Sequence, residues 1–203
     1  MELLQSAALS HLEWIEHGFG TRRSEISQAG LASLKQIHSG ICLPASGPGC
    51  AGEGDALVSA TSGIGLSVRT ADCYPILLAD TRTHVIAAIH AGWRGTAAGI
   101  VREVLSRMRD LYGTRPGDIV AAIGPGIGGC CYEVGEEVGR RFGLDRAGRV
   151  NLASVNRQWL LNSGVPDSQI EVMGLCTYCD PRFYSFRREK EKAGRMISYL
   201  RLL

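Results

Sequence analysis

Three side chains of the types that bind transition metals each follow a short apolar segment of the chain. Cys73 follows GLSVRTAD, His90 ends HVIAAIH, and His38 closes LKQI. Two imidazoles and one thiolate that converge at strand ends would bind zinc and leave one coordination position open, as catalytic zinc sites do. We therefore predict that His38, Cys73 and His90 are both metal ligands and catalytic residues.

The same three residues support other interpretations from the sequence alone. Cys73 could be a thiolate nucleophile with a histidine as its base, which is the arrangement of a cysteine hydrolase. The three could also form a closed structural zinc site with a fourth ligand such as Cys131. A lone cysteine in an apolar segment is commonly a buried core residue, and a lone histidine a satisfied polar one. His11, His17 and His84 are not predicted as ligands, because none of them ends an apolar strand beside glycines.

The segment after His90, AGWRGT, suggests an anion site. A strand that passes through a glycine-containing turn into a helix start presents backbone N–H groups to an anion. Arg94 would add positive charge, and Gly95 and Thr96 would lie at the helix start. The alternative is that the glycines only form the turn and that Arg94 is exposed.

The remaining cysteines include an adjacent pair, Cys130 and Cys131, and a CxxC sequence from Cys176 to Cys179. Neighbouring residues of a strand point to opposite faces, so we do not expect the adjacent pair to share one metal. The CxxC has no second CxxC and no histidine nearby in the sequence. We therefore do not expect a structural zinc or a thioredoxin-type site there.

The elements that must position these residues follow from apolar periodicity and turn signals. Thr96 is a plausible N-cap of the first long helix, an apolar stripe from Ile100 to Tyr112 gives its buried face, and Gly113 is a suitable stop. Further helices are predicted over residues 133–143 and 153–164. Residues 28–36 read as helical or irregular, 46–55 as a loop and 183–188 as a short extended piece. Strands are predicted at 12–20, 55–60, 64–71, 74–80, 84–91, 118–123, 170–177 and 195–203.

This order mixes strand meanders with helices, so we expect an α+β protein, an α/β sandwich with mixed sheets flanked by helices. The near-continuous apolar strands predict a sheet covered on both faces. A hydrophobic fraction of 45% and a charged fraction of 21% are typical of a globular protein. No apolar run is long enough for a membrane span, and a signal peptide is not indicated. A net charge of +2 without a Lys/Arg block argues against nucleic acid as a partner.

Seven cysteines without a secretion signal suggest reduced thiols and a cytoplasmic protein. Four segments of the sequence then carry a more specific resemblance: TADCYPILLAD, HAGWRGTAAGI, IGPGIGGCCYEVG, and LCT followed by FYSFRRE. Over residues 17–203 the chain resembles the YfiH-type family, the laccase-domain purine nucleoside phosphorylases that have also been described as polyphenol oxidases. The resemblance implies a single YfiH-like domain over residues 1–203, with the fold of the YfiH cysteine-hydrolase-like type.

The resemblance also implies zinc held by two histidines and one cysteine, which match His38, Cys73 and His90. It implies phosphorolysis of adenosine, inosine, guanosine and methylthioadenosine, with deamination of adenosine as a further activity. The expected partners are therefore small molecules, a purine nucleoside and phosphate, with neither nucleic acid nor membrane. HGFGTRRSEIS is similar to an arginine-containing family segment, which makes Arg22 a candidate for phosphate or substrate contact. The segment between Arg22 and His38 is shorter than in the family, which predicts a shortened pocket wall.

Two alternatives follow from the same resemblance. Related proteins suggest amide hydrolysis in peptidoglycan-precursor editing, by zinc or by Cys73 as a nucleophile. Polyphenol oxidation is not expected, because a multicopper oxidase uses around ten histidines, commonly in HxH pairs. This chain has five histidines and no HxH. Neither His38 nor His90 is followed by a glutamate in the HxE signature of the zinc deaminases, so the acid/base residue is left unassigned.

Overall fold

The structure is a computed structural model that describes residues 3–203. The strands are β1 Leu3–Leu4, β2 Ile15–Gly20, β3 Leu31–Lys35, β4 Cys42–Pro44, β5 Gly49–Glu53, β6 Ala56–Ser59, β7 Gly65–Thr70, β8 Tyr74–Asp80, β9 Ile86–Ala91, β10 Ile119–Ile123, β11 Glu133–Val134, β12 Gly148–Arg149, β13 Ile170–Val172 and β14 Met196–Leu202. The helices are α1 Trp93–Ala97, α2 Ile100–Tyr112, α3 Glu136–Arg140, α4 Leu152–Asn162 and α5 Phe186–Glu189. Short 3₁₀ helices lie at Leu9–His11, Pro116–Asp118, Asp167–Gln169 and Lys190–Lys192.

Two six-stranded sheets form the body of the protein. The first has the order β1-β2-β14-β7-β3-β5, and the second has the order β13-β10-β8-β9-β6-β4. Each sheet is mixed. In the first, β3 pairs in parallel with β7 whereas β14 and β7 are antiparallel, and in the second, β10 pairs in parallel with β13 whereas β8 and β9 are antiparallel. The expectation of an α+β sandwich with mixed sheets flanked by helices is therefore confirmed. Within residues 3–203, no helix combines the length and hydrophobicity needed to cross a membrane.

The second sheet is buried on both faces, which explains the uninterrupted apolar sequence of β8 and β9. Ile76 and Leu78 belong to the core that contains α2 and α4. The alternate residues Leu77 and Ala79 belong to a second core, shared with the first sheet. Because successive side chains of a strand point to opposite faces, a strand between two cores must be apolar at every position.

Helix α2 packs on this sheet with the predicted face as far as Met108, whereas Leu111, predicted on the same face, is exposed. The helix ends at Gly113, which has a φ of 70°. The predicted cap at Thr96 is wrong. Thr96 lies inside the five-residue helix α1, and the long helix begins only after Gly99, whose φ of 76° interrupts the helical path. A left-handed residue cannot continue an α-helix, so the chain forms two helices where the sequence suggested one.

Four other local expectations are corrected by the fold. Residues 28–36 contain strand β3, and the predicted loop 46–55 contains strand β5. Strand β5 is an edge strand with mostly exposed side chains, so it shows no apolar period, and backbone pairing with β3 defines it.

The extended piece predicted at 183–188 turns into helix α5, where Ser185 accepts a hydrogen bond from Arg188 N–H. The helix predicted over 133–143 is shortened to α3, because residues 133 and 134 pair with β12.

Candidate active site and metal centre

The structure brings the three predicted ligands together. Cys73 immediately precedes β8, His90 lies on β9 opposite Pro75, and His38 follows β3. One ligand atom from each of the three lies within 4.8 Å of the others. The imidazole rings of His38 and His90 are edge-on, with centroids 4.9 Å apart. Two nitrogens and one sulfur can therefore reach one metal ion from three separate elements.

A buried carboxylate that sequence reasoning missed supports this group. Asp55 is fully buried, and its Oδ1 lies 2.8 Å from Nδ1 of His90. It also accepts hydrogen bonds from the backbone N–H groups of Ile37, His38 and Ser39 and from the Ser39 hydroxyl. A carboxylate on one imidazole nitrogen orients the ring and leaves Nε2 free to bind a metal. One side chain thus holds both histidines in place.

The electrostatics of the group favour a thiolate. Burial alone would raise the pKa of the Cys73 thiol, but hydrogen bonds with His38 and His90 outweigh it and lower the pKa to about 7. Burial would lower the pKa of His90, but hydrogen bonds to Asp55 and Cys73 raise it to about 9. The Asp55 pKa falls to about 2, because the hydrogen bonds from His90 and Ser39 outweigh the effect of burial. A thiolate is the form that binds metals and also the form that acts as a nucleophile.

Backbone geometry allows these groups to approach closely. A Cβ at Gly92 would lie 2.9 Å from the Cys73 sulfur and 3.3 Å from Cδ2 of His38. Only glycine leaves room for the sulfur and the ring at this position. His38 and Asp72 adopt positive φ values of 59° and 86°. Non-glycine residues in this region are uncommon and cluster at functional sites.

The ligands open on a cavity of about 690 Å³. Its walls combine aromatic rings and positive charges beside the three ligands. The aromatic and basic lining residues are Trp93, Tyr132, Phe186, Arg69, Arg187, Lys190 and Arg195. Aromatic faces suit a planar ring, and guanidinium or ammonium groups suit an anion.

Asp72 ties the loops around the cavity together. Its Oδ1 accepts a hydrogen bond from the Thr177 hydroxyl at 2.7 Å, and its Oδ2 accepts one from Arg187 N–H at 2.6 Å. Its backbone carbonyl accepts Ile127 N–H at 2.8 Å. Both carboxylate oxygens of Asp72 are therefore engaged in positioning the cavity walls.

None of the four residues predicted to contact phosphate or substrate is among the described residues that line this cavity. Arg22 forms an ion pair with Glu189, donates to the Phe183 carbonyl at 2.8 Å and lies over the Tyr184 ring. Arg94 is exposed and lies over the Trp93 ring. Among residues 3–203, neither arginine is in the set that lines the cavity.

Gly95 and Thr96 are buried and have structural surroundings. A Cβ at Gly95 would lie 2.8 Å from the Ser39 carbonyl oxygen. The Thr96 hydroxyl accepts a hydrogen bond from Asn156 Nδ2 at 3.0 Å, and its carbonyl accepts one from Trp159. The positive charges that line the cavity are instead Arg69, Arg187 and the other basic lining residues, which are the groups able to bind an anion there. The sequence pattern did not indicate this set.

The other histidines have different roles. His84 stacks on Trp14 with ring centroids 4.2 Å apart. His17 is buried and accepts Ser6 N–H through Nε2. His11 lies in a 3₁₀ helix near the start of the described residues. Within residues 3–203, they join neither group of potential metal ligands.

The four cysteines at 130, 131, 176 and 179 depart from expectation. Cys130 and Cys131 lie in a turn and not in a strand, so the alternation of side chains does not apply to them. Their sulfur atoms group with those of Cys176 and Cys179, and not with His38 and His90. The partner thiols that the CxxC lacked in the sequence are thus supplied by a distant loop.

Comparison with known proteins places this geometry in a family. The family model described as multi-copper polyphenol oxidoreductase laccase matches residues 20–203. The chain belongs to this laccase-domain family. The fold agrees, since the crystal structure of the Bacillus licheniformis hypothetical protein YfiH superposes with a TM-score of 0.88 at 26% identity. That superposition covers 94% of each chain.

Several relatives of this laccase-domain protein have names that state an enzymatic activity. A purine nucleoside phosphorylase from Deinococcus radiodurans is 45% identical over 84% of this chain and 70% of its own length. The adenosine deaminase RL5, from an unidentified prokaryote, is 36% identical over 71% of this chain and 60% of its own length. Across several such relatives, the chain spans from 58% to 75% of their length.

The copper in the family description can be tested against the residues present. His38, Cys73 and His90 fit one ion with an open position. A three-copper cluster would require several more imidazoles, and His11, His17 and His84 lie outside the site. The laccase-domain chain therefore has the donors for a single ion at this cavity and lacks the histidines of a multicopper centre within its described residues.

Proposed function

We propose that this protein is a zinc-dependent purine nucleoside phosphorylase, with His38, Cys73 and His90 as the zinc ligands. The observation that carries the proposal is the open three-donor group, backed by buried Asp55, in a cavity with aromatic and basic walls. A purine is a planar aromatic ring, and phosphate is an anion, so the two kinds of wall match the two substrates. The name of the Deinococcus radiodurans relative points to the same reaction.

Phosphorolysis requires the chain to hold two reactants and to exclude water. The bond between the sugar C1′ and the base nitrogen breaks, the base leaves with the electron pair and takes up a proton, and a phosphate oxygen bonds to C1′. Zinc at the three ligands would act as a Lewis acid that polarises a substrate oxygen. The rings of Trp93, Tyr132 and Phe186 would bind the base, and Arg69, Arg187, Lys190 and Arg195 would attract and orient phosphate.

Asp55 and Asp72 position the other groups of the site. Asp55 holds His90 in one tautomer, with its proton on Nδ1, and fixes the backbone at His38. Asp72 keeps Ile127 and Arg187 at the cavity wall. Positioning of this kind contributes to the rate because the reacting atoms must approach within about 3–3.5 Å.

Deamination of adenosine is the second candidate, and it is supported by the name of the RL5 relative. The same open donor group could activate water for attack on the purine carbon that bears the amine. Asp72 is the one carboxylate in the cavity lining of residues 3–203, and both its oxygens already accept hydrogen bonds. The cavity therefore offers phosphorolysis a better set of groups than deamination.

A cysteine hydrolase is the third candidate, because the Cys73 pKa is lowered to about 7 beside two histidines. In that reaction, Cys73 would attack an amide carbonyl and a histidine would protonate the leaving amine. The zinc and thiol chemistries exclude each other at a single sulfur. A chelator that abolishes turnover supports zinc, whereas a chelator that increases turnover supports the nucleophile.

The deciding experiment measures hypoxanthine release from inosine with and without phosphate. We expect release only with phosphate, and none from the His90→Ala variant. His11→Ala is the matched control, since it removes a histidine outside the site. Turnover of adenosine to inosine alone would replace the phosphorylase by a deaminase. Amide hydrolysis without nucleoside turnover would support the hydrolase, and blue absorbance with phenol oxidation would support copper.

A further inference from the structure

We propose that Cys130, Cys131, Cys176 and Cys179 form a second metal site, a structural zinc centre with four thiolate ligands. The four sulfur atoms all lie within 4.8 Å of one another. The Cys130 and Cys179 sulfurs are 3.8 Å apart, and those of Cys131 and Cys179 are 3.2 Å apart. Zn–S bonds of about 2.3 Å in a tetrahedron place the sulfurs roughly 3.8 Å apart, so the cluster has nearly the dimensions of an S₄ zinc site.

The local backbone favours sulfur ligands at this place. Gly128 N–H donates a hydrogen bond to the Cys176 sulfur at 3.2 Å. Such N–H···S contacts stabilise negative charge on the sulfur. Gly128 also makes room, since a Cβ there would lie 3.1 Å from the Cys130 sulfur and 3.3 Å from the Cys176 sulfur.

The donor set decides the class of metal. Four thiolates are soft ligands, which select zinc or iron over magnesium and calcium. All seven cysteines are free thiols in the structure, so the four are available as ligands. This site differs from the first in having no imidazole and no position left for a substrate, which is typical of a structural zinc.

The site would connect two loops that form the cavity wall. The turn at Cys130 and Cys131 is continuous with Ile127 and Tyr132, which line the cavity. The other turn leads from Cys176 through Thr177, which holds Asp72, to the cavity residues of α5. The backbones of the two loops also pair at an isolated bridge between Gly126 and Cys176. A metal at the four sulfurs would therefore fix the distance between the two loops.

The first test is the zinc content of the full-length protein, purified with reductant and measured by plasma mass spectrometry. We expect about two zinc ions per chain, and one in either His90→Ala or the Cys176→Ser/Cys179→Ser double variant. Cys50→Ser is the matched control, because Cys50 is an exposed thiol outside both groups, and it should keep two. Unchanged zinc content in the double variant would overturn the proposal.

The second test does not require the cysteine variant to fold. X-ray absorption at the zinc edge of His90→Ala should show one zinc with four sulfur neighbours at about 2.3 Å. Nitrogen or oxygen neighbours at that zinc, iron in place of zinc, or a disulfide between Cys131 and Cys179 with no bound metal would each overturn the assignment. Mass spectrometry of the alkylated intact protein distinguishes the disulfide from metal-protected thiols.

Discussion

Residues 3–203 contain two clusters of potential metal ligands that differ in composition, burial and support. The His38–Cys73–His90 group has mixed donors, an open side and a buried carboxylate behind one imidazole. The four-cysteine cluster has sulfur donors only, two of its residues are exposed, and the Gly128 N–H donates to one of its sulfurs. Mixed donors with an open position suit chemistry, whereas a full set of thiolates suits cross-linking.

The difference in support is as informative as the difference in donors. Asp55 connects the strand start at β6 to His90 on β9 and to the backbone at 37–39. The first group is thus preorganised by a rigid sheet. The cysteines lie on two turns outside the two large sheets. These turns are joined by an isolated bridge between Gly126 and Cys176, so a metal at the four sulfurs would add a cross-link between them. We therefore expect the first cluster to control turnover and the second to control stability.

The largest expected effect comes from removing one ligand at each cluster. His90→Ala should lower phosphorolysis by more than the 10–100-fold that loss of an outer partner of a metal ligand causes. Cys176→Ser should lower the melting temperature yet keep kcat within a few-fold at temperatures below that transition. Activity assays and thermal unfolding on both variants, with His11→Ala as control, measure this contrast. Equal loss of kcat in the two variants would contradict the division of roles.

The next effect concerns the carboxylate behind the first cluster. Asp55→Asn should reduce zinc affinity by about 10–100-fold and destabilise the fold by about 3 kcal/mol, because three backbone N–H groups lose a buried ionised acceptor. Competition with a chromogenic chelator and urea unfolding measure these quantities. The control is Glu53→Gln, which removes an exposed ion pair with Lys35 and should cost less than about 1 kcal/mol.

The contribution of Asp55 to the stability of the fold should depend on pH, in a direction that its pKa fixes. Its pKa is lowered to about 2 in the folded protein, so its contribution to stability is present above the unfolded pKa near 4 and is lost as the pH falls through 2. The gap in stability between wild type and Asp55→Asn should therefore shrink over that range of pH. A gap that widens on acidification would contradict the assignment.

The sequence predicted the parts of this site that have a local pattern and missed the parts that depend on contacts between residues far apart in the sequence. The convergence of Cys73 and His90 was predictable because each lies at the end of an apolar segment, and strand ends meet at one edge of a sheet. His38 also closes an apolar segment, but spacing alone would not have selected it, and the family resemblance supplied it. Asp55 was missed because its partners are 16 to 35 residues away and no local pattern connects them. The four cysteines were missed for the same reason, since about 45 residues separate the two turns.

The same contrast between local patterns and distant contacts separates the strands that were predicted from those that were not. Strands buried between two cores, such as β8 and β9, have strong apolar signals and were predicted. Strands β3 and β5 were misassigned, because β5 is an exposed edge strand that tertiary pairing defines. Gly99 changed the helix start, since its left-handed φ is set by the chain path between α1 and α2.

A smaller effect concerns the acidity of Cys73. In metal-free protein, the Cys73 pKa of about 7 leaves roughly half of the thiol ionised at neutral pH, so iodoacetamide should modify it roughly tenfold faster than an ordinary thiol. In His38→Ala the reaction should require higher pH, because one of the hydrogen bonds that lower the pKa is lost. Peptide mass spectrometry across pH 5–10 follows the modification. An unchanged pH profile in His38→Ala would contradict the role of that imidazole.

The smallest expected effect separates the carboxylate from one of its individual hydrogen bonds. Ser39→Ala removes the hydroxyl that donates to Asp55 at 2.7 Å but leaves the three backbone N–H donors in place. The variant loses two hydrogen bonds, since the same hydroxyl also accepts one from Ile41 N–H. It should therefore lose about 1–2 kcal/mol of unfolding free energy, at about 1 kcal/mol net for each bond, and less than tenfold in zinc affinity. Ser106→Ala, on the exposed side of α2, is the control. A loss as large as that of Asp55→Asn would mean that the hydroxyl, and not the backbone, holds the carboxylate towards His90, and the preorganisation would then lie in one side chain and not in the sheet.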